Sequence, residues 1–288
     1  MNWILPALLS ALSLATADAL TKLRFAHLTP YEMGLVRLIY ALPWLLAAWP
    51  FIPRPQPGPL YYLCIAAGIP LEMLALYCYM RAIKRSPLSL TLPLIAFTPV
   101  FMILTGRVVL GEAIGPLGLW GIGLTVTGAY MLNLSSAGEG PLEPLYALFR
   151  EPGSRLMLLV SFIYSLTSTI GKLGALHSAA AFFGVTYFTG FTLISLLLAP
   201  LVPGTRIART LKAPLWGAAV GLATAVMILS HMAAIVATEA AYMITMKRTS
   251  LLIGILYGWW LFGERNIGER IIAAAVMLAG VFLIGLSG

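Results

Sequence analysis

Charged side chains are scarce in this sequence. Asp, Glu, Lys and Arg make up 10% of the 288 residues, while apolar residues make up 60%. Ordinary soluble domains contain about 25% charged and about 45–50% apolar residues, so this chain has too few charges to cover a water-exposed surface. The composition excludes a soluble globular enzyme, a disordered chain and a disulfide scaffold. It predicts a polytopic membrane protein whose main solvent is lipid.

Residues that perform catalysis or bind metals are equally few. The chain has one aspartate, Asp18, which excludes a protease aspartate pair or an aspartate pair that holds Mg²⁺. Its three histidines are far apart, and neither an HExxH nor a CxxC spacing occurs, so we expect no metal site. Cys64 and Cys78 lie in one apolar stretch, where cysteines usually act as small hydrophobic residues. We expect no cofactor, no enzymatic activity and, without a Walker-type loop, no ATP-driven pumping.

Ten apolar segments are long enough to cross a membrane, which takes about 20 residues. Turn-forming and charged residues separate them, and the loops are too short to fold as a domain. The sequence therefore predicts an all-α protein whose function lies within its helices. The predicted segments are 2–21, 31–50, 59–80, 87–107, 114–134, 155–173, 179–201, 213–236, 238–262 and 267–287.

The basic residues are unevenly distributed between the loops. The net charge is +8, and its pattern is typical of membrane topology and not of nucleic-acid binding. If the first helix starts at residue 2, twelve Lys and Arg fall on one side and three on the other. The positive-inside rule then predicts that the twelve are cytoplasmic and that both termini are outside.

An internal repeat divides the chain. Residues 106–112 (GRVVLGE) recur 152 positions later as 258–264 (GWWLFGE). Because each half holds five helices, an odd number, the second copy must enter the membrane from the opposite side. Inverted repeats are typical of secondary transporters, whose substrate site lies near the midplane. The predicted units are a first repeat over 1–137, a linker over 138–154 and a second repeat over 155–288.

These repeated motifs resemble the ten-helix EamA-type branch of the drug/metabolite transporter superfamily. The resemblance covers the whole chain and is supported by Ala82-Ile83, which is matched by Ala234-Ile235. It implies a central cavity enclosed by helices 1–4 and 6–9, with helices 5 and 10 as scaffold. It also implies alternating access and substrates such as amino acids, other metabolites, nucleotide sugars or phosphorylated sugars.

One departure from that family concerns the fourth helix of each repeat, where many members carry a central proline. Segment 87–107 has Pro93 and Pro99, but segment 238–262 carries Lys247 and Arg248. This pair is similar to the Lys-Arg motif of the triose-phosphate and nucleotide-sugar branch, which holds anionic substrate groups.

Lys247 and Arg248 are the strongest candidate binding residues. A cation at the bilayer centre costs about 2.5–3.5 kcal/mol, and Arg presents a planar fork that suits carboxylate or phosphate. We expect an anion clamp. The alternatives are an internal ion pair with Glu72 or Glu239, or a position at the membrane interface.

Glu72 follows Pro70 in segment 59–80, and Tyr79 lies seven residues further along the same face. Proline bends a helix, so Pro70 is a candidate hinge. Glu72 and Tyr79 could bind a substrate ammonium or carry a proton. The alternative is that Glu72 is a structural partner of Arg37 or Lys247.

Other polar residues have competing interpretations. Asp18 and Lys22 are expected to form a local i, i+4 ion pair. Arg37 could either extend to the interface or face a cavity, and His231 could be a hydrogen-bonded core residue or a proton relay. Glu112, like Glu264, is expected to hold its loop through helix-end amides or a neighbouring Arg.

Segment 87–107 is expected to be a discontinuous helix. Pro93 and Pro99 are candidate hinges, and Thr98 lies beside them. Irregular backbone at membrane depth is tolerated where it lines a cavity. In segment 238–262 hydroxyl groups lie close to the two cations, and the predicted contributors are Tyr242, Thr245 and Ser250.

Together these features predict a secondary active transporter or exporter of small organic metabolites, amino acids or organic anions. It would work by alternating access in the plasma (bacterial inner) membrane, coupled to H⁺ or a counter-substrate, as a monomer or weak homodimer. Its partners are the substrate and the lipid bilayer, and no nucleic acid. The alternative is a lipid-handling protein or flippase that binds a phosphate headgroup.

Overall fold

The structure, a computed structural model, describes residues 3–85, 92–134, 151–262 and 270–287, which are helices joined by short loops and contain no strand. Eleven α-helices are labelled here in chain order. They are α1 Ile4–Phe25, α2 Pro30–Ala48, α3 Pro59–Arg85, α4 Thr98–Leu110, α5 Pro116–Leu134, α6 Pro152–Leu176, α7 Ala180–Leu198, α8 Pro214–Ile235, α9 Ala240–Lys247, α10 Thr249–Phe262 and α11 Arg270–Ser287. Short helical turns are Trp49–Phe51, Leu92–Phe97, Ala199–Leu201 and Ile207–Thr210.

Proline starts many of these helices. It is the first residue of α2, α3, α5, α6 and α8, where its fixed φ suits the helix and its missing N–H costs no hydrogen bond. The start of α2 also has a capping box. Glu32 N donates to Thr29 Oγ1 (3.3 Å), and Thr29 N donates to Glu32 Oε2 (2.9 Å).

Six of the described helices are long and apolar enough to cross a membrane. Two further apolar helices, Leu94–Leu110 and Ile272–Ser287, are shorter. Large apolar side chains remain exposed on the outside of the bundle, including Trp120, Leu197 and Phe282. Such an apolar exterior suits lipid as the solvent, and it confirms the predicted all-α membrane protein.

The predicted segments agree with the helices except at two places. Segment 238–262 is two helices, α9 and α10, with Arg248 in the turn between them. In segment 87–107, residues 92–97 form a 3₁₀ helix before α4 begins. Residues 87–91 lie outside the described ranges, as does most of the predicted linker, 138–150.

Helices from the two halves of the chain pack against each other. α1 contacts α8, α3 contacts α6, α2 contacts α7 and α8, and α5 contacts α11. Glycine permits the closest approaches. A Cβ on Gly128 of α5 would lie 2.5 Å from Met277 N of α11, and one on Gly221 of α8 would lie 2.0 Å from Tyr40 O of α2.

Candidate substrate cavity

A cavity of about 390 Å³ lies between the helices of the two halves. Helices α1 to α4 and α6 to α9 supply its walls, together with the α9–α10 turn. Among the described residues, α5 and α11 supply none of the lining, as the sequence resemblance implies. The polar and charged lining residues are Arg37, Glu72, Thr98, Tyr164, Thr167, Ser168, Tyr187, Thr224, His231, Lys247 and Arg248.

Lys247 and Arg248 form the cationic wall of this cavity. Lys247 Nζ lies 3.3 Å from His231 Nδ1 and 3.3 Å from the Met227 sulfur. A lysine ammonium only donates, so His231 accepts through Nδ1. His231 is thus both a hydrogen-bonded and a cavity-lining residue.

Arg248 occupies the break between α9 and α10. Its Nη2 donates to the Ile95 carbonyl at 3.2 Å, in the 3₁₀ helix that precedes α4. Its Nε is buried and has no partner among the described residues. The guanidinium is therefore oriented by the backbone of the other half and keeps an unused donor.

The alternative interpretation, an ion pair of Lys247 with Glu72 or Glu239, is not seen among the described residues. Within the described ranges, no carboxylate oxygen lies within 4.0 Å of Lys247 or Arg248. Glu72 lines the same cavity beside Thr167 of α6. Glu239 instead accepts from the neighbouring Thr238 hydroxyl at 3.2 Å.

Asp18 pairs with Arg37 of α2, a contact that the sequence did not predict. Arg37 Nη1 donates to Asp18 Oδ1 at 2.5 Å. The reason is tertiary, because α2 packs beside α1 and brings a cation to Asp18 from outside its own helix. Arg37 lines the cavity, which favours the cavity role over extension to the interface.

An aromatic wall on α7 faces the cations and was missed by sequence reasoning. Phe183, Tyr187, Phe188 and Phe191 all line the cavity. The Phe183 and Tyr187 rings stack at 5.4 Å between centroids. Tyr187 Oη is buried without a partner in the described part of the chain. The available signal was the spacing i, i+4, i+5, i+8, which places these rings on one helix face.

A polar stripe on α6 was also missed. Tyr164, Thr167, Ser168 and Gly171 line the cavity at i, i+3, i+4 and i+7. This spacing is readable in the sequence as one helix face. It could not be assigned to a cavity without knowing which neighbours that face meets.

Several predicted site residues lie outside the cavity lining. Tyr79 is half-buried and packs with Cys78 in a separate apolar cluster. Tyr242 is buried, and its hydroxyl packs on Gly118 of α5, where an added Cβ would lie only 2.0 Å from the Tyr242 oxygen. Thr245 donates to the Ala241 carbonyl of its own helix (2.6 Å). Ser250 is buried at the start of α10.

The helix changes from 3₁₀ to α near Pro93 and Pro99, and the hinge role of these prolines stays a prediction. Pro93 lies in the 3₁₀ helix, and Pro99 lies in the first turn of α4. Thr98 lines the cavity, and its hydroxyl donates to the Ile95 carbonyl at 2.7 Å. Pro70 lies inside α3, which continues through it as a helix, so its hinge role stays a prediction.

A buried ion pair joins the two halves next to Gly171, which lines the cavity. Lys172 Nζ donates to Glu112 Oε1 and to the Thr238 carbonyl, and the two ionic side chains are 8% and 11% exposed. Glu112 Oε2 also accepts from Ala240 N, the first amide of α9 (2.9 Å). The expected helix-end role of Glu112 is confirmed, although the helix belongs to the other half and the cation is a lysine. Glu264 lies outside the described residues.

Apolar helices around an internal charged cavity define a multi-pass integral membrane protein. One solved crystal structure shares this fold over 99% of the chain and 96% of its own length, with a TM-score of 0.79 at 16% identity. No curated protein matches the sequence. Residues 1–134 match the EamA-like transporter family. The predicted resemblance is confirmed over these residues, which fall in the predicted first repeat and are similar to EamA-like transporters.

Proposed function

We propose that the protein is a secondary active transporter of small organic metabolites, amino acids or organic anions, in the bacterial inner membrane. The observation that carries the proposal is the pair Lys247 and Arg248 on the wall of the central cavity, with no carboxylate within 4.0 Å among the described residues. Cations at membrane depth are unfavourable unless they are paired or hydrated. A bound anionic group would supply the missing partner.

The remaining lining suits a substrate with more than one kind of group. A carboxylate or phosphate would bind Arg248 and Lys247, because guanidinium and ammonium donors match its oxygens. Glu72 would bind an ammonium group. The α7 aromatic wall would contact an apolar portion. This combination favours compact metabolites that carry a negative group and an apolar or zwitterionic body.

The packing between halves supports alternating access by two repeats over 1–137 and 155–288. The contact of α1 with α8 joins the first helix of the first repeat to the third helix of the second repeat. The contact of α6 with α3 joins the first helix of the second repeat to the third helix of the first, so the two contacts are equivalent. The two helix interruptions also correspond, because α4 starts at Thr98 and α10 starts at Thr249, one residue from the 152-residue offset. Two similar units around one cavity can exchange conformations at little energetic cost.

The test is substrate transport by the purified protein in proteoliposomes. Candidate amino acids, organic acids and sugar phosphates are first screened by thermal shift, because a ligand of the folded state raises the melting temperature. The hit is then assayed with an imposed pH gradient, and separately with unlabelled substrate inside. Stimulation by the first condition indicates coupling to H⁺, and stimulation by the second indicates exchange.

Replacing both cations should abolish transport. We expect Lys247→Ala/Arg248→Ala to lose substrate-induced stabilisation and uptake while remaining folded, because the anion clamp is gone. Arg54→Gln is the control, since Arg54 lies 5.8 Å from the centre of the Trp49 ring and does not line the cavity. Wild-type uptake in the double variant would refute the clamp. Transfer of labelled phospholipid without metabolite uptake would instead favour the lipid-handling alternative.

A further inference from the structure

An apolar groove of about 680 Å³ runs between α3 and α7 on the outside of the bundle. Tyr31, Met73 and Leu76 line it, and Tyr31 Oη donates to the Ser195 carbonyl of α7 at 2.7 Å. Leu74 and Leu201 also line the groove and are 46% and 76% exposed. The groove is thus a formed concavity in a lipid-facing surface, within the usual volume range of about 300–1,000 Å³ for ligand sites.

The groove spans about one leaflet. Its α3 lining runs from Met73 to Arg81, which corresponds to about 12 Å at 1.5 Å per residue. Half of the hydrocarbon core is about 15 Å thick. An acyl chain from the leaflet nearest Arg81 would therefore fill the groove along its length.

A basic side chain stands at the end of the groove. Arg81 lines the groove and is exposed, and its Nη1 donates to Tyr77 Oη at 2.6 Å. A guanidinium carries five N–H donors in a planar fork, so the bond to Tyr77 leaves donors for a phosphate. The chain that closes the α7 side of the groove continues to Arg206 and Arg209. Arg209 lies 3.8 Å from the buried carboxylate of Glu32, so Arg206 is the residue that adds net positive charge there.

We propose that the α3–α7 groove binds an anionic phospholipid, with an acyl chain in the groove and the phosphate on Arg81. Charge complementarity selects this occupant. The positive-inside rule assigns Arg81 to the cytoplasmic side, whose leaflet is rich in anionic lipid. Leu76 lines both the groove and the central cavity, so the bound chain packs on the outer side of a cavity wall.

Lipid binding to the full-length protein tests the site without a transport substrate, and so independently of the proposed function. Native mass spectrometry is performed with phosphatidylglycerol or phosphatidylcholine of identical chains. We expect wild type to retain phosphatidylglycerol preferentially. Arg81→Gln should weaken that binding about fivefold, the usual effect of one basic residue at an anionic lipid surface, and weaken phosphatidylcholine binding less, because the choline cation already offsets the charge of its phosphate. Arg81→Lys should keep most of the preference.

Two further variants separate the headgroup from the chain. Leu74→Trp places a large ring in the groove and should reduce binding of both lipids. Arg24→Gln is the matched control. Like Arg81, Arg24 is exposed and contacts an aromatic ring, with its guanidinium 4.1 Å from the centre of the Trp216 ring, and it lies on the same predicted side of the membrane. Unlike Arg81, it does not line the groove. Equal retention of the two lipids by wild type would overturn the proposal. So would equal losses in the two glutamine variants, or displacement of the lipid by inorganic phosphate.

Discussion

At the scale of single residues, two side chains that line the cavity carry polar atoms without partners. Arg248 Nε and Tyr187 Oη are buried and unpaired among the described residues. A buried donor without an acceptor is unfavourable by about 1–3 kcal/mol. We infer that substrate or water in the cavity supplies the partners of these two atoms.

Tyr187→Phe should therefore affect binding more than stability. The variant removes a hydroxyl that has no described protein partner and keeps the stacked ring. We expect substrate affinity to fall about threefold to tenfold, the equivalent of one net hydrogen bond, with an unchanged melting temperature. Thermal-shift titration with the transported substrate measures both.

The control for this variant is Tyr61→Phe. Tyr61 Oη donates to Thr186 Oγ1 at 2.6 Å, and Tyr61 does not line the cavity. Its loss should lower stability by about 1 kcal/mol with no change in substrate affinity. If Tyr187→Phe destabilises the protein as much and binds substrate normally, its hydroxyl has a structural role.

At the scale of helices, the scaffold pair α5 and α11 depends on glycine. Gly121 and Gly128 of α5 face Gly280 and Met277 of α11, and a Cβ on any of the three glycines would lie within 2.9 Å of backbone or side-chain atoms of the other helix. Helix association in lipid relies on close packing, because lipid tails are as apolar as the helices. Small residues at this interface therefore keep the scaffold together.

Gly128→Ala should destabilise the protein by about 1–3 kcal/mol through overpacking. Its new Cβ would lie 2.5 Å from Met277 N, and a backbone atom cannot rotate away. Gly123→Ala on the same helix is the control, since a Cβ there meets nothing within 4 Å. Thermal unfolding in detergent compares the two. Equal melting temperatures would contradict this account of the α5–α11 interface.

At the scale of the whole molecule, the Glu112–Lys172 pair connects the two halves of the chain close to the cavity lining. Lys172 follows the cavity-lining Gly171, and Glu112 also holds the first amide of α9. Opening the cavity beside this pair would require these bonds to separate. Under the proposed alternating access, the pair is a candidate gate.

Glu112→Gln should weaken this gate. Removing one member of a buried ion pair typically costs about 3–5 kcal/mol, and it should raise the population whose cavity is open beside the pair. Ser168→Cys, at a cavity-lining position, reports opening through its reaction with a membrane-impermeant thiol reagent, after Cys64 and Cys78 are replaced by Ala. We expect faster labelling in Glu112→Gln.

The double variant Glu112→Gln/Lys172→Met serves as control for the gate. It removes both charges, so it should recover part of the lost stability while still labelling faster than the parent. Unchanged labelling in both variants would mean that the ion pair only stabilises the fold.

Composition and hydrophobic run length were sufficient to establish an all-helical membrane protein, because lipid tolerates few charges and few backbone conformations. Lys247, Arg248, Glu72, Arg37, Thr98 and His231 were identified as candidates on the same basis, and all six line the cavity. The partners were not predictable. Arg37 bonds Asp18 across helices, Lys172 reaches Glu112 in the other half, and the α7 rings form a wall. Periodicity shows which residues share a helix face, but which face meets which depends on packing between segments that are distant in sequence.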